Sequence, residues 1–178
     1  SCIPGSIGGG IRMNSGCFGS EFKDILLSVQ AVDRSGNILT IPSKNIKFEY
    51  RKTNLPKDLI FLSASFKGKF KNKNIAKEDM ETLKKKKEQT QPTRVKTGGS
   101  TFKNPISQTT EKVWKLIKSS VPANSSFGDA TISEKHSNFF VNKSNATYKD
   151  MKELIDLVKN SVKKKKGINL DLEIEIVG

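Results

Sequence analysis

Apolar and polar positions alternate through "DILLSVQAVDRSGNILTIP" (24–42), with a polar break in the middle. This predicts a strand, a turn at "DRSGN" and a second strand, together a hairpin. "LIFLSASFKG" (59–68) alternates as a third strand and stops at glycine. From 69 to 96, lysine, asparagine and glutamine surround "IAKEDMETLKKKKEQ", a polar, helix-permissive stretch that runs into Pro92, and a domain boundary is expected there. Beyond it the period lengthens. "TTEKVWKLIKSS" (109–120) puts Val113, Trp114, Leu116 and Ile117 on one helical face. "TYKDMKELIDLVKNSV" (147–162) does the same with Met151, Leu154, Ile155, Leu157 and Val158. "SNFFVN" (137–142) and "INLDLEIEIV" (168–177) read as strands, the last alternating apolar and acidic residues with period two. No repeat recurs at any period. The pattern predicts an α+β protein in three parts: a mostly stranded 1–70, a polar linker or helix over 71–96, and a smaller α+β domain over 97–178.

Composition narrows the class. Hydrophobic residues make up 34% and charged residues 28% of the 178, a globular balance with no apolar run long enough to cross a bilayer. No secretory signal pattern opens the chain. Cys2 and Cys17 are too few for a disulfide framework, and one histidine leaves no zinc-type cluster, so a cytoplasmic location, no membrane and no metal are expected. The formal net charge of +14 raises the question of nucleic acid. Much of it sits in two tetralysine runs, 84–87 and 163–166, each following a helix-like segment and read as a solvated helix end. Arginine occurs only at 12, 34, 51 and 94, without the interleaved stacking aromatics of a nucleic-acid surface, so none is expected as a partner.

Three segments carry candidate chemistry. "SCIPGSIGGGIRMN" (1–14) strips side chains from its backbone at Gly5, Gly8, Gly9 and Gly10, as a tight turn or a loop against a flat or anionic ligand would. It matches neither the P-loop nor the dinucleotide fingerprint. In "FEYRKT" (48–53), Tyr50 and Arg51 lie in a polar loop, where arginine can hold a carboxylate through two parallel hydrogen bonds or remain a surface charge. In "TGGSTFKNP" (97–105), two glycines present Ser100 on a constrained turn ahead of Lys103 and Asn104, as a proton donor or a turn cap. The lone His136 and the lack of G-x-S-x-G argue against a serine hydrolase. Asp171, Glu173 and Glu175 alternate on one face of the last predicted strand.

"IPGSIGGGIRMNSGCFG", "YRKT", "GGSTFKNP", "ISEKHSNFFVN" and "LDLEIEIVG" stand in the order found in the UDP-N-acetylenolpyruvoylglucosamine reductases, flavoenzymes of peptidoglycan synthesis, and the resemblance spans the whole chain. It implies part of an FAD-binding α+β domain over 1–70 and a C-terminal substrate-binding domain over 97–178. The loop similar to 3–14 would lie against FAD, through Ile3, Pro4, Gly5, Ser6, Gly8, Gly9, Arg12 and Asn14. The other half of the flavin site would come from an N-terminal half, in cis or in trans, that this chain is expected to lack.

For chemistry, the resemblance implies that NADPH reduces FAD, and that hydride then passes to C3 of the enolpyruvyl ether of UDP-N-acetylglucosamine enolpyruvate, giving UDP-N-acetylmuramate. Arg51 would clamp the carboxylate, Ser100 would protonate C2 and Glu173 would polarise the enol. Tyr50, Lys103 and Asn104 would bind substrate. The motif around His136 and Asn138 is assigned to shaping the substrate domain. The alternative reading is an inactive piece that binds a UDP-sugar or nothing.

Overall fold

The computed structural model describes residue 3 and residues 5–177, so Pro4 and Cys2 lie outside the described residues. The chain divides into two compact units, residues 1–85 and 86–178.

The first unit contains a short helix α1 (Ile7–Arg12), a two-residue ladder of β1 (Gly16–Cys17) and β2 (Ser20–Glu21), the strands β3 (Leu26–Val32) and β4 (Ile38–Pro42), a small hairpin of β5 (Phe48–Glu49) and β6 (Lys52–Thr53), and β7 (Ile60–Phe66). The hairpin read from the sequence is present: β3 pairs antiparallel with β4 from Ser28↔Pro42 to Val32↔Ile38. Its turn forms because the Asp33 carboxylate accepts the backbone N–H groups of Ser35 and Asn37, both at 2.9 Å, and Gly36 takes φ 85°. The third predicted strand is β7, antiparallel to β3, giving the sheet order β4-β3-β7. Ile11, Leu26, Val29, Ala31, Ile46, Leu55 and Leu59 form the buried core. Helix α1 lies close upon it because its glycines lack Cβ atoms. A Cβ on Gly10 would fall 2.5 Å from the Phe22 ring, and one on Gly8 would fall 3.3 Å from Phe61.

The division between the units falls within helix α2 (Lys73–Thr90), which buries no residue and leaves its Ile75, Met80 and Leu83 exposed. Of the Lys84–Lys87 run read as a helix end, Lys87 lies in the last turn of α2 and the other three just before it, because the helix continues to Thr90.

The second unit builds a four-stranded antiparallel sheet from β8 (Lys96–Ser100), β9 (Ser126–Phe127), β10 (Ala130–Ile132) and β11 (Phe139–Asn142), in the order β8-β11-β10-β9. Helices α3 (Val113–Ser120) and α4 (Tyr148–Lys166) complete its core. Thr147 and Asp150 close a capping box at the start of α4, and Gly167 at φ 70° ends it just past Lys163–Lys166. That run is the cationic helix end expected from sequence.

Two expectations fail. The buried stripe of α3 is Val113, Leu116, Ile117 and Ser120, spaced i, i+3, i+4, i+7, which turns Trp114 sideways and leaves it 36% exposed. The segment 168–177 is no regular strand. Leu170 is buried and Leu172 and Ile174 pack on the core as the alternation demands, but the pairing is a single bridge, Phe102↔Leu172. Period two fixed the face without supplying a partner for the whole length.

Candidate active site

In the second unit the site residues come from the end of β8 and the segment after it. Gly99 adopts φ 87°, a conformation closed to most side chains, and turns the chain into Ser100. A Cβ on Gly98 would touch Ile174 Cγ2 at 3.4 Å. Downstream, the backbone is held on both sides. The Glu173 N–H donates to Thr101 O and the Lys103 N–H donates to Asp171 O, each at 2.9 Å. On the other flank the Thr101 N–H donates to Asn138 O at 2.8 Å. The Asn138 side chain accepts the Phe102 N–H at 3.0 Å and donates to Phe102 O at 2.8 Å. Thr101 and Asn138 are buried, while Ser100, Lys103, Asn104 and Glu173 are each half-buried. The folded chain therefore brings together two segments some seventy residues apart in sequence, with Glu173 bonded to the residue that follows Ser100.

Asn104 has a structural duty as well. Its Oδ1 accepts the Val113 N–H at 3.0 Å, satisfying a first-turn donor of α3 that the nominal cap, Lys112, leaves open. His136 accepts the Asn138 N–H through Nδ1 at 3.2 Å and packs edge-on against Phe139 at 4.9 Å. Burial pushes its pKa below the ordinary value, which keeps the ring neutral. A separate cleft of about 520 Å³ in this unit is walled by Trp114, Ile117, Lys118, Val121, His136 and Ser137, among others. None of Ser100, Lys103, Asn104 or Glu173 lines it.

In the first unit, Tyr50 and Arg51 form the loop of the β5–β6 hairpin, whose strands pair Phe48↔Thr53 and Glu49↔Lys52. Arg51 sits at φ 56°, in the left-handed region a non-glycine residue seldom occupies, at a cost of roughly 1–3 kcal/mol. Its guanidinium lies 4.9 Å from the Tyr50 ring centroid and donates to Gly16 O at 3.0 Å. The Lys23 ammonium at 2.8 Å does most to hold the Glu21 carboxyl below its ordinary pKa; burial opposes it, and the Asn14 amide and the Arg51 charge add smaller pulls in the same direction as Lys23.

Arg12 and Asn14 brace the glycine-rich loop from within. Arg12 donates to the carbonyls of Leu55 (3.2 Å), Pro56 (2.6 Å) and Leu59 (2.8 Å) and lies 4.7 Å from the Phe61 centroid. Asn14, fully buried, donates to Glu21 (3.0 Å) and to Glu49 O (3.2 Å) and accepts the Lys23 N–H (3.1 Å). Ser6 Oγ accepts the Gly9 N–H at 3.1 Å. Ile3, Gly5, Ser6, Ile7 and Gly9 are exposed and Gly8 is half-buried. The brace around Arg12 could not be read from sequence, because its partners are backbone carbonyls more than forty residues away. Among the described residues no group of acidic, histidine and cysteine side chains is placed to hold a metal, and no helix is long and apolar enough to cross a membrane.

With this geometry in view, residues 91–177 match the family model described as UDP-N-acetylenolpyruvoylglucosamine reductase, C-terminal domain. A reductase of that name from Pelagibacter ubique is 60% identical over 177 residues, covering 99% of this chain and 59% of the relative. One from Rickettsia prowazekii is 45% identical with the same coverage. The crystal structure of UDP-N-acetylenolpyruvylglucosamine reductase (MurB) from Thermus caldophilus matches with a TM-score of 0.81 and 32% identity, over 98% of this chain and 61% of that one. The relatives are reductases by name, and the chain shares their α+β fold. Residues 91–177 thus belong to the UDP-N-acetylenolpyruvoylglucosamine reductase family as its C-terminal domain, and the chain spans about 59% of the length of these curated relatives.

Proposed function

We propose that the chain supplies one wall of a flavin site and the proton-transfer site of a UDP-N-acetylenolpyruvoylglucosamine reductase. The reaction is reduction of UDP-N-acetylglucosamine enolpyruvate to UDP-N-acetylmuramate with FAD and NADPH, in the cytoplasm, for peptidoglycan precursor synthesis. The observation that carries the reading is the pairing of 101–103 with 171–173, which joins the Ser100 segment to the Glu173 segment. A turn cap alone needs no such partner.

The residues present fit one face of FAD. Gly5 takes φ 120° with nothing within 4 Å of a notional Cβ, so flat backbone lies open there for a planar ring to approach. Ile3, Gly5, Ser6, Gly8 and Gly9 would form that face. Arg12 and Asn14 would serve it by holding the loop, since both side chains bond inward. When bound, the reduced flavin supplies hydride to C3 of the enolpyruvyl group, its own reduction having come from NADPH.

Bond formation at C3 shifts the double-bond electrons onto C2 and its carboxylate, and the site must stabilise that charge and then quench it. Arg51, beside Tyr50 in its strained loop, would clamp the carboxylate with two parallel hydrogen bonds. Glu173 would polarise the developing enol. Ser100 Oγ–H would give its proton to C2, completing a C–H bond there, and would regain a proton from water. Lys103 and Asn104 would hold the remainder of the substrate.

The test supplies the part of the Pelagibacter ubique relative that this chain does not span, and measures flavin retention and substrate-dependent NADPH oxidation. Both are expected in the mixture or in a covalent fusion, with FAD held weakly or not at all by this chain alone. A fusion that retains flavin but turns over no substrate, while a UDP-sugar still raises the Tm of the chain, would favour a silent binding domain instead.

A further inference from the structure

The glycine-rich loop ends on a polar side chain that reaches no solvent. Asn14 follows α1 at φ 41°, a backbone that favours asparagine and glycine, and its exposure is 0%. Its amide joins three separate stretches of chain. Nδ2 donates to Glu21 Oε2 at 3.0 Å and to the Glu49 carbonyl at 3.2 Å, and Oδ1 accepts the Lys23 N–H at 3.1 Å. Glu49 ends β5, and Tyr50 and Arg51 follow it directly. The Arg51 guanidinium turns back to donate to Gly16 O at 3.0 Å, and Gly16 pairs with Glu21 across β1–β2. The contacts therefore close a ring that runs from Asn14 through Glu49, Arg51, Gly16 and Glu21 back to Asn14. A Cβ on Gly16 would fall 2.7 Å from Glu21 Cγ and 2.8 Å from Ser20 O, so the ring has no slack at that point.

We propose that Asn14 is a positioning residue for Arg51: through the Glu49 carbonyl and the Glu21 carboxylate it fixes the β5–β6 loop, and with it the guanidinium that is to receive the substrate carboxylate. The inference rests on the reading of Arg51 as that clamp and adds what sets the clamp's geometry. Two parallel hydrogen bonds to a carboxylate require the plane of the guanidinium to be set in advance. A left-handed φ of 56° at Arg51 persists only where the surroundings over-determine it, and the bond from Asn14 to Glu49, two residues earlier, is one such constraint. Both amide hydrogens of Asn14 point inward, so its part in the site is to hold this loop.

The test is NMR relaxation of the arginine Nε–H groups of the 178-residue chain, whose four arginines are Arg12, Arg34, Arg51 and Arg94. Arg34 and Arg94 are exposed and serve as mobile references. Arg12, held by the carbonyls of Leu55, Pro56 and Leu59, is the rigid control from the same loop as Asn14. Asn14→Gly removes the side chain and leaves the left-handed backbone unstrained. It should drop the Arg51 order parameter below about 0.6, into the flexible range, while Arg12 keeps its parental value. An unchanged Arg51 overturns the proposal, and so does equal loosening of Arg12, which would make Asn14 a general brace of the unit. Should the glycine variant fail to fold, Asn14→Asp gives the same comparison, since it keeps the acceptor for the Lys23 N–H and loses both donations. In the covalent fusion, Asn14→Gly should retain flavin and its bleaching by NADPH and slow reoxidation by substrate roughly tenfold to a hundredfold. With Arg51→Ala already present it should slow reoxidation no further, and additive losses would overturn the proposal. Reoxidation of the Arg51→Ala fusion at the parental rate would instead sink the reading of Arg51 as the clamp, which the relaxation result cannot do.

Discussion

The Asn138 side chain binds Phe102 as a neighbouring strand would, its Oδ1 accepting the Phe102 N–H at 3.0 Å and its Nδ2 donating to the Phe102 carbonyl at 2.8 Å. Both residues are buried, at 3% and 1% exposure, so neither bond has water as a substitute. One amide thereby holds the Ser100–Asn104 segment in register.

Asn138→Ala strands two buried backbone groups and should cost roughly 2–4 kcal/mol of stability in the second unit. Asn138→Asp should be at least as harmful near neutral pH, because a carboxylate oxygen then faces the Phe102 carbonyl. Thermal or urea unfolding monitored on Trp114 fluorescence measures both, and an unchanged midpoint for Ala would show the bracket to be dispensable.

His136 gives the second unit a pH dependence of predictable sign. Burial lowers its folded pKa below the ordinary 6.5, so the unfolded chain takes up the proton first. Its contribution is complete above about pH 6.5 and is lost as pH falls below that value. The lowered carboxyls Glu21, Asp33, Glu49 and Asp150 lose their contributions only below about pH 4.5, which leaves the window from 7 to 5 to the histidine. Tm should fall across that window in the parent and stay flatter in His136→Gln. A parental profile in the variant would contradict this assignment.

Asn104 separates helix support from substrate binding. Asn104→Asp keeps an acceptor for the Val113 N–H and should preserve Tm, whereas Asn104→Ala should lose about 1 kcal/mol. In the complete enzyme both should raise KM if the amide holds substrate. A normal KM in Asn104→Asp would leave the residue as a helix anchor alone.

What the sequence disclosed follows from how far each pattern reaches. The β3–β4 hairpin was legible because strand alternation, Asp33 and Gly36 lie within one short window. The stripe of α4 was legible for the same reason. Trp114 misled because an aromatic beside an apolar stripe cannot be told from a member of it until the helix start, fixed here at Val113 by distant Asn104, sets the phase. The end of the chain misled because alternation identifies a buried face and cannot count ladder partners. The motif residues Ser100, Lys103, Asn104 and Glu173 were nameable one by one, but the backbone bonds joining Thr101 to Glu173 and Lys103 to Asp171 cross seventy positions and leave no local trace.

The most direct measurement is stopped-flow absorbance of Ser100→Ala in the complete enzyme, where flavin colour bleaches on reduction by NADPH and returns on reoxidation by substrate. Loss of a general acid typically costs roughly a hundredfold to ten-thousandfold. The account predicts near-parental bleaching and reoxidation slowed by that range, with Ser100→Cys retaining more because a thiol still donates a proton. Reoxidation of the alanine variant at the parental rate would contradict it and leave Ser100 as the cap of a glycine turn.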